Sequence, residues 1–406
     1  YEIRLSLVGS EMCIRDSRAT MTRNPRTLRL LVPTMLTFFT MGFVDSVGIA
    51  TNYIKDDFAL SDTLANLCPS MVFFWFLVCS VPTGMLMNRI GRARTVRLSV
   101  AVTALALLAP VIDYSFATMM VSFSLLGIGN ALMQVSLNPL VSSVVTGDRL
   151  ASTLTFGQFV KAIASFVAPL IAAWGVLHCA SWRILFPVFA AIAVIALVYM
   201  SLTRFPEASG MRRSSTFGAC FALLREPFIL LAFLGILCHV GIDVGTNVTA
   251  PKLLIERLGM ELTDAGYATS LYFLFRTLGC LSGSLILTRI PAMRFFLFSV
   301  GLMLLATAGL FCLDGKAAIY VCVALLGFGN SNIFPIIFSR AMLHLPDKQN
   351  EVSGLMIMGL IGGTIFPLLM GALSDALGSQ NGSVAVIGCG TLYLLWLSSK
   401  LQTDTK

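Results

Sequence analysis

Residues 125–139 read LLGIGNALMQVSLNP, and residues 325–335 read LLGFGNSNIFP. Gly127, Gly129 and Asn130 are answered by Gly327, Gly329 and Asn330 at a constant offset of 200 (327 − 127). Both copies are apolar and helix-length, with small residues spaced to let helices approach one another inside a membrane. Each also carries side-chain amides that hydrocarbon does not tolerate, so each must face protein or water. A repeat at half the chain length is the signature of a two-lobed transporter.

The rest of the chain fits that reading. Of its 406 residues 57% are hydrophobic and 12% charged, with a mean hydropathy of +0.86. A soluble domain of this size has no core large enough to hide so much apolar surface. The apolar runs are continuous rather than alternating, which predicts helices rather than a barrel. The net charge of +8 therefore reads as a positive-inside bias, not as a nucleic-acid footprint. Ten cysteines, Cys68, Cys79, Cys238 and Cys280 among them, sit mostly in apolar segments without metal or disulfide spacing. No metal, cofactor or nucleic acid is expected.

The opening YEIRLSLVGSEMCIRDS matches nothing else in the pattern and reads as a translated adaptor. Residues 1–20 are set aside on that ground, with Met21 as the natural start. Twelve spans are predicted, at 28–53, 62–88, 95–114, 118–146, 151–176, 183–203, 227–254, 264–290, 293–313, 317–343, 351–374 and 382–400. They form an N-terminal six-helix bundle (21–203), a central loop (204–226), a C-terminal six-helix bundle (227–400) and a tail (401–406). Of 28 basic residues, three precede residue 21, Lys161 and Arg276 lie inside spans, and Lys55, Arg183, Lys252, Arg257 and Lys316 share one side. The other eighteen (28 − 3 − 2 − 5) fall on the opposite side, which puts both termini and the central loop in the cytoplasm of a cell (inner, plasma) membrane.

The repeat extends further. Asp45 in GFVDSVG pairs with Asp243 in VGIDVG, Gly84 in PTGMLMNRIG with Gly283 in LSGSLILTRIP, and FVAPL at 166–170 with FPLLM at 366–370. Residues 84–94, GMLMNRIGRAR, resemble the loop signature of the major facilitator superfamily: a Gly, an acid, then Arg-x-Gly-Arg. Gly84 allows close helix crossing, while Arg89 and Arg92, flanking Gly91, can reach the carbonyls that end a neighbouring helix. The usual acid is Asn88 here.

Further matches are similar to the fucose:proton symporter branch, which includes glucose/galactose carriers: LNP at 137–139, GQ at 157–158, LTRFPE at 202–207, VGIDVG at 240–245, RTLG at 276–279, FPIIFS at 334–339 and MGALSDALG at 370–378. The resemblance implies an all-α fold of twelve transmembrane helices in two pseudo-symmetric bundles, and proton-driven sugar uptake. It also implies departures. Gln134 stands where the family places a carboxylate, and Lys161 where it places an Asn after the Gln matched by Gln158. Gln cannot titrate, so coupling must rest elsewhere.

Asp45, Lys161, Asp243 and Arg276 lie deep in spans and each must find a partner. Asp45 and Lys161 are placed to pair, with fixed helix bracing as the competing role. Asp45 and Asp243 are the candidate proton carriers, while Arg276 reads as a structural or inter-lobe residue. Sugar hydroxyls need donors and acceptors together, which an amide supplies. Gln134, Asn138, Gln158, Asn247, Asn330 and Asn332, with Lys161, are the candidate substrate ligands, and Asn130 is a further amide within a span. Phe39, Phe43, Trp75, Tyr272 and Phe334 are aromatics suited to stacking on a sugar ring. His239 is expected to bond neighbouring backbone, and His178 and His344 to be solvated.

The expectation is a monomeric secondary active transporter, importing a monosaccharide with protons by alternating access. Proton-antiport export of a metabolite or drug, or a non-transporting sugar sensor, are the alternatives. No GxxxxGK[ST] or HExxH motif supports a pump or a membrane enzyme.

Overall fold

The computed structural model describes residues 25–60, 67–145, 147, 149–179, 181–206 and 216–402. The opening stretch, the tail beyond Gln402 and most of the central loop lie outside the described residues, which contain no strand. Helix α1 runs Pro25–Met41, tightens to a 3-10 segment Gly42–Ser46 and resumes at Val47–Asp57. Then come α2 (Leu67–Ile90), α3 (Arg92–Ile112), α4 (Phe116–Val144), α5 (Arg149–Cys179) and α6 (Leu185–Leu202). After a short helix at Phe217–Ala222 the second six are α7 (Pro227–Leu258), α8 (Tyr267–Ile286), α9 (Ala292–Cys312), α10 (Lys316–Asn330 and Ile333–His344), α11 (Gln349–Met358, a 3-10 segment Gly359–Ile361, and Gly362–Leu377) and α12 (Asn381–Gln402). Ten of these spans are long and apolar enough on hydropathy to cross a membrane. Helices α2 and α8, with 24 and 20 residues, are long enough to complete the twelve.

Local chemistry sets the boundaries. Gly91, at φ 89°, turns the chain between α2 and α3 in a conformation closed to other residues. Ser115 caps α4 by accepting from the Thr118 amide. Just before it, the Thr118 and Ser115 hydroxyls donate to the exposed Asp113 carboxylate and hold it below the usual carboxylate range. Besides the 3-10 segments within α1 and α11, one span breaks where the prediction runs through. Instead of running through 317–343, α10 breaks at Ser331–Asn332. Pro335 lacks an amide hydrogen and its ring crowds the carbonyl of residue 331, four positions back.

Helices α1–α6 and α7–α12 form two lobes. They meet where α2 packs on α11 and α5 on α8. The pairs α3–α6 and α9–α12 pack together within their lobes. Helix α6 carries no charge and still exposes Val194, Ile195, Val198 and Leu202, which is the surface of a helix solvated by lipid. The chain is a multi-pass membrane protein. At the end remote from the termini, Tyr114 and the Trp182 indole both donate to Asp57, at 2.6 and 2.8 Å. Burial first, then Asp57, pushes the Tyr114 phenol above its ordinary range.

Candidate functional site

The repeated LLGxGN segment makes three contacts with three helices, and makes them twice. A Cβ on Gly127 would sit 2.6 Å from the Val72 carbonyl of α2, and one on Gly327 2.5 Å from the Tyr272 carbonyl of α8. A Cβ on Gly129 would meet Thr103 Oγ1 of α3 at 2.5 Å, and one on Gly329 the Ser299 carbonyl of α9 at 2.7 Å. The asparagine turns to the first helix of its lobe: Asn130 Nδ2 donates to the Met41 carbonyl at 3.1 Å, and Asn330 Nδ2 to the His239 carbonyl at 3.2 Å. One helical turn beyond each clamped carbonyl stands an acid, Asp45 or Asp243.

In the N-terminal lobe the tightened segment of α1 presents Asp45 to α5. Gly42 comes against the Lys161 carbonyl so closely that no larger residue fits. Lys161 Nζ lies 3.1 Å from Asp45 Oδ1, and Ser165 donates to Asp45 Oδ2 at 2.8 Å. The pair keeps side-chain exposures of 14% for Lys161 and 33% for Asp45, so water reaches it. Nearby, Gln134 donates to Asn130 Oδ1 at 3.1 Å and Asn138 to the Gln134 carbonyl at 3.0 Å. Asn138 Oδ1 is left without a partner, and half-buried Gln158 makes no side-chain hydrogen bond among the described residues.

In the C-terminal lobe Asp243 accepts from the Tyr272 hydroxyl at 2.5 Å and lies 3.3 Å from Arg276 Nη1. Asn330 donates to Tyr272 Oη at 3.2 Å. His239 Nδ1 is 2.7 Å from Asn330 Oδ1. An amide oxygen only accepts, so His239 carries its proton on Nδ1. Asn247 donates to the Asp243 carbonyl at 2.8 Å, and its own Oδ1 lacks a partner. The helices that carry Lys161 and Arg276, α5 and α8, pack against each other at the seam. The acids occupy equivalent positions and the cations do not: Lys161 comes from α5 and Arg276 from α8, the two helices that meet between lobes.

Several expectations are corrected. Tyr272 and Phe43 are fully buried, Tyr272 bonded to Asp243 and Phe43 packed on Phe186 and Phe189, so neither is a stacking platform. His239 bonds a side-chain amide rather than backbone. His344 is not solvated but stacks on Phe228 and reaches Glu226 at 3.5 Å. Asn332 is completely buried and donates to the Gly279 carbonyl and Ser331 Oγ, which fastens α10 to α8. Arg89 is exposed and makes no side-chain hydrogen bond among the described residues. Asn88 takes the inward position, and Arg89, about 100° further round the helix, faces out.

The signature loop closes one end of the molecule. Asn88 donates to Glu351 Oε1 at 2.6 Å and accepts from Asn350 at 2.6 Å. Arg92 donates to Asn350 Oδ1 at 2.7 Å, to Gln349 Oε1 at 3.0 Å and, in its own lobe, to the Pro139 carbonyl at 3.0 Å. Ser353 donates to the Val135 carbonyl and Ser152 to the Ser284 carbonyl, each at 2.6 Å. Gly84 lets α2 reach α11, since a Cβ there would lie 2.6 Å from the Asn350 carbonyl. An amide does the work of the usual acid, and its partners at 349–351 carry no sequence signal that singles them out.

Residues 34–367 match the Major Facilitator Superfamily. The chain belongs to that superfamily. This major facilitator is therefore a membrane transporter and not an enzyme. It is 27% identical over 384 residues to a glucose/galactose transporter of Brucella abortus, covering 87% of this chain and 90% of the relative. A putative glucose/galactose transporter of Helicobacter pylori is 24% identical over 378 residues, covering 88% and 91%. Among solved structures, the E. coli fucose:proton symporter FucP superposes with a TM-score of 0.78 at 17% identity, over 91% of this chain and 98% of that one. The last comparison speaks to the fold alone.

Proposed function

We propose that this major facilitator imports a monosaccharide together with protons, as a monomer in the plasma or inner membrane. The reading rests on one observation above all: two partly accessible acids at equivalent places, Asp45 and Asp243, each held by a single cation at the seam. Each acid with its cation is neutral overall, which suits an uncharged sugar. Asn138 Oδ1 and Asn247 Oδ1 lack partners and Gln158 is uncommitted, so three amides on α4, α5 and α7 can exchange hydrogen bonds with hydroxyls. The sugar transporters among its relatives favour the same substrate class.

A proton arriving on Asp45 or Asp243 cancels that acid's attraction for Lys161 or Arg276. The released cation turns its donors to sugar oxygens. Loading then favours parting of the latch around Asn88, Arg92 and Asn350 and closure of the opposite end, by rocking of the lobes. The arginine-rich end faces the cytoplasm in this scheme.

Proteoliposome uptake of a radiolabelled monosaccharide panel, with and without an inward proton gradient, tests the reading. Gradient-dependent accumulation should vanish in Asp45→Asn and Asp243→Asn, while sugar counterflow, which needs no net proton movement, persists. Entry of a sugar regardless of the gradient would remove proton coupling. Entry of none would remove the substrate class.

A further inference from the structure

The seam between lobes is closed differently on its two sides. At α2–α11 the polar latch seals it. At α5–α8 the Ser152–Ser284 hydrogen bond lies beside a groove of about 530 Å³ shared by α1, α5 and α8. Helix α1 gives it the stripe Leu28, Leu31, Val32 and Met35, one face of a helix by spacing. Phe156 and Leu285 form the opposing walls. Leu28, Val32, Phe156 and Leu285 are 64%, 44%, 41% and 65% exposed, so the groove opens outward at the level of the hydrocarbon. The hydroxyls in its lining are satisfied, Ser152 by Ser284 and Thr153 by the Arg149 carbonyl. It offers a sugar nothing and suits an alkyl chain.

The charge at its mouth says which alkyl chain. Each of the three helices carries an arginine at the end of the groove nearer the latch. Arg29 adjoins Leu28, Arg149 lies one turn before Ser152 and Thr153, and Arg289 lies one turn after Leu285. None of the lining residues is acidic. We infer that the groove binds an anionic phospholipid, with one acyl chain along α1 and the phosphate among Arg29, Arg149 and Arg289. Clusters of basic residues at the membrane surface attract such head groups. The groove has walls in both lobes, so a bound lipid holds α5 against α8 and favours the state in which this end is shut. The site is independent of the transported substrate.

Native mass spectrometry of the full chain, released from nanodiscs containing phosphatidylcholine and phosphatidylglycerol in equal amounts, tests this. The unaltered protein should retain phosphatidylglycerol preferentially. Arg29→Gln with Arg289→Gln, both at exposed positions, should cut that retention about tenfold or more. A control pair at the same end, Arg94→Gln with Arg294→Gln, should leave it unchanged. Val32→Trp, which fills the groove, should lose the lipid with all arginines in place. Equal retention of the two lipids, or equal loss in the two arginine pairs, would overturn the assignment. So would retention unaffected by both Val32→Trp and the Arg29/Arg289 pair.

Discussion

Arg92 joins the lobes at the latched end with two charge-assisted hydrogen bonds, and its removal has a calculable effect. Arg92→Ala deletes two hydrogen bonds across the seam, to Asn350 and Gln349. Bonds with a charged partner contribute about 1.5–3 kcal/mol each. Water can enter this end once it loosens, so the lower figure applies, and the closed state loses about 3 kcal/mol. That is roughly a 150-fold shift toward opening. Hydrogen exchange in nanodiscs reads it directly. Amides of residues 84–92 and 349–358 should lose protection by about that factor, as should any amide whose exchange requires the lobes to part. The lipid-facing α6 supplies the internal control and should not change. Arg92→Lys keeps the charge but not the planar fork and should fall between the two. A folded Arg92→Ala protein with unchanged protection at 349–358 would refute the latch.

Other outcomes follow from single contacts. Gly127→Ala or Gly329→Ala drives a methyl into a backbone carbonyl at 2.6 or 2.7 Å and should cost about 1–3 kcal/mol, read as a lower melting temperature in detergent. Gly301→Ala, which meets open space, should be close to neutral. Asn330→Ala strips Tyr272 and His239 of a shared partner and should cost about 1–3 kcal/mol, while Asn330→Gln should not restore it, because the longer side chain cannot occupy the same space. Cys220 is buried, and burial, with Glu351 adding, pushes its thiol up to about 11. At pH 8 its alkylation, followed by peptide mass spectrometry, should lag far behind that of exposed Cys312 and rise in Arg92→Ala as the latch opens.

The spans were legible because a membrane imposes one dominant constraint, length of apolar helix, and the chain states it plainly. The repeat also announced that something happens at Asn130 and Asn330. What it does there was hidden, because the acceptors at Met41 and His239 are backbone carbonyls, which carry no residue-type signal. Asp45 and Lys161 were readable as a pair since buried charges seek opposites. Asp243 was harder: its base, Arg276, sits on α8 rather than on the helix equivalent to α5, so pseudo-symmetry alone misleads. The latch was half visible. Asn88 marked a departure from the family signature, but its partners lie some 260 residues away in a sequence, QNE, that reads as an ordinary polar helix start.

One feature of the ion pairs bears on how the protein behaves in an energised membrane. Asp45 and Lys161 belong to one lobe, and Asp243 and Arg276 to the other. In the proposed cycle, rocking of the unloaded lobes would carry each cation together with its counter-ion. A single charge crossing the membrane costs or gains about 2.3 kcal/mol per 100 mV, but a moving pair of opposite charges largely cancels. On the proposed import cycle, the empty protein would therefore reset with little regard to membrane voltage. The voltage acts chiefly on the step that carries an unbalanced charge.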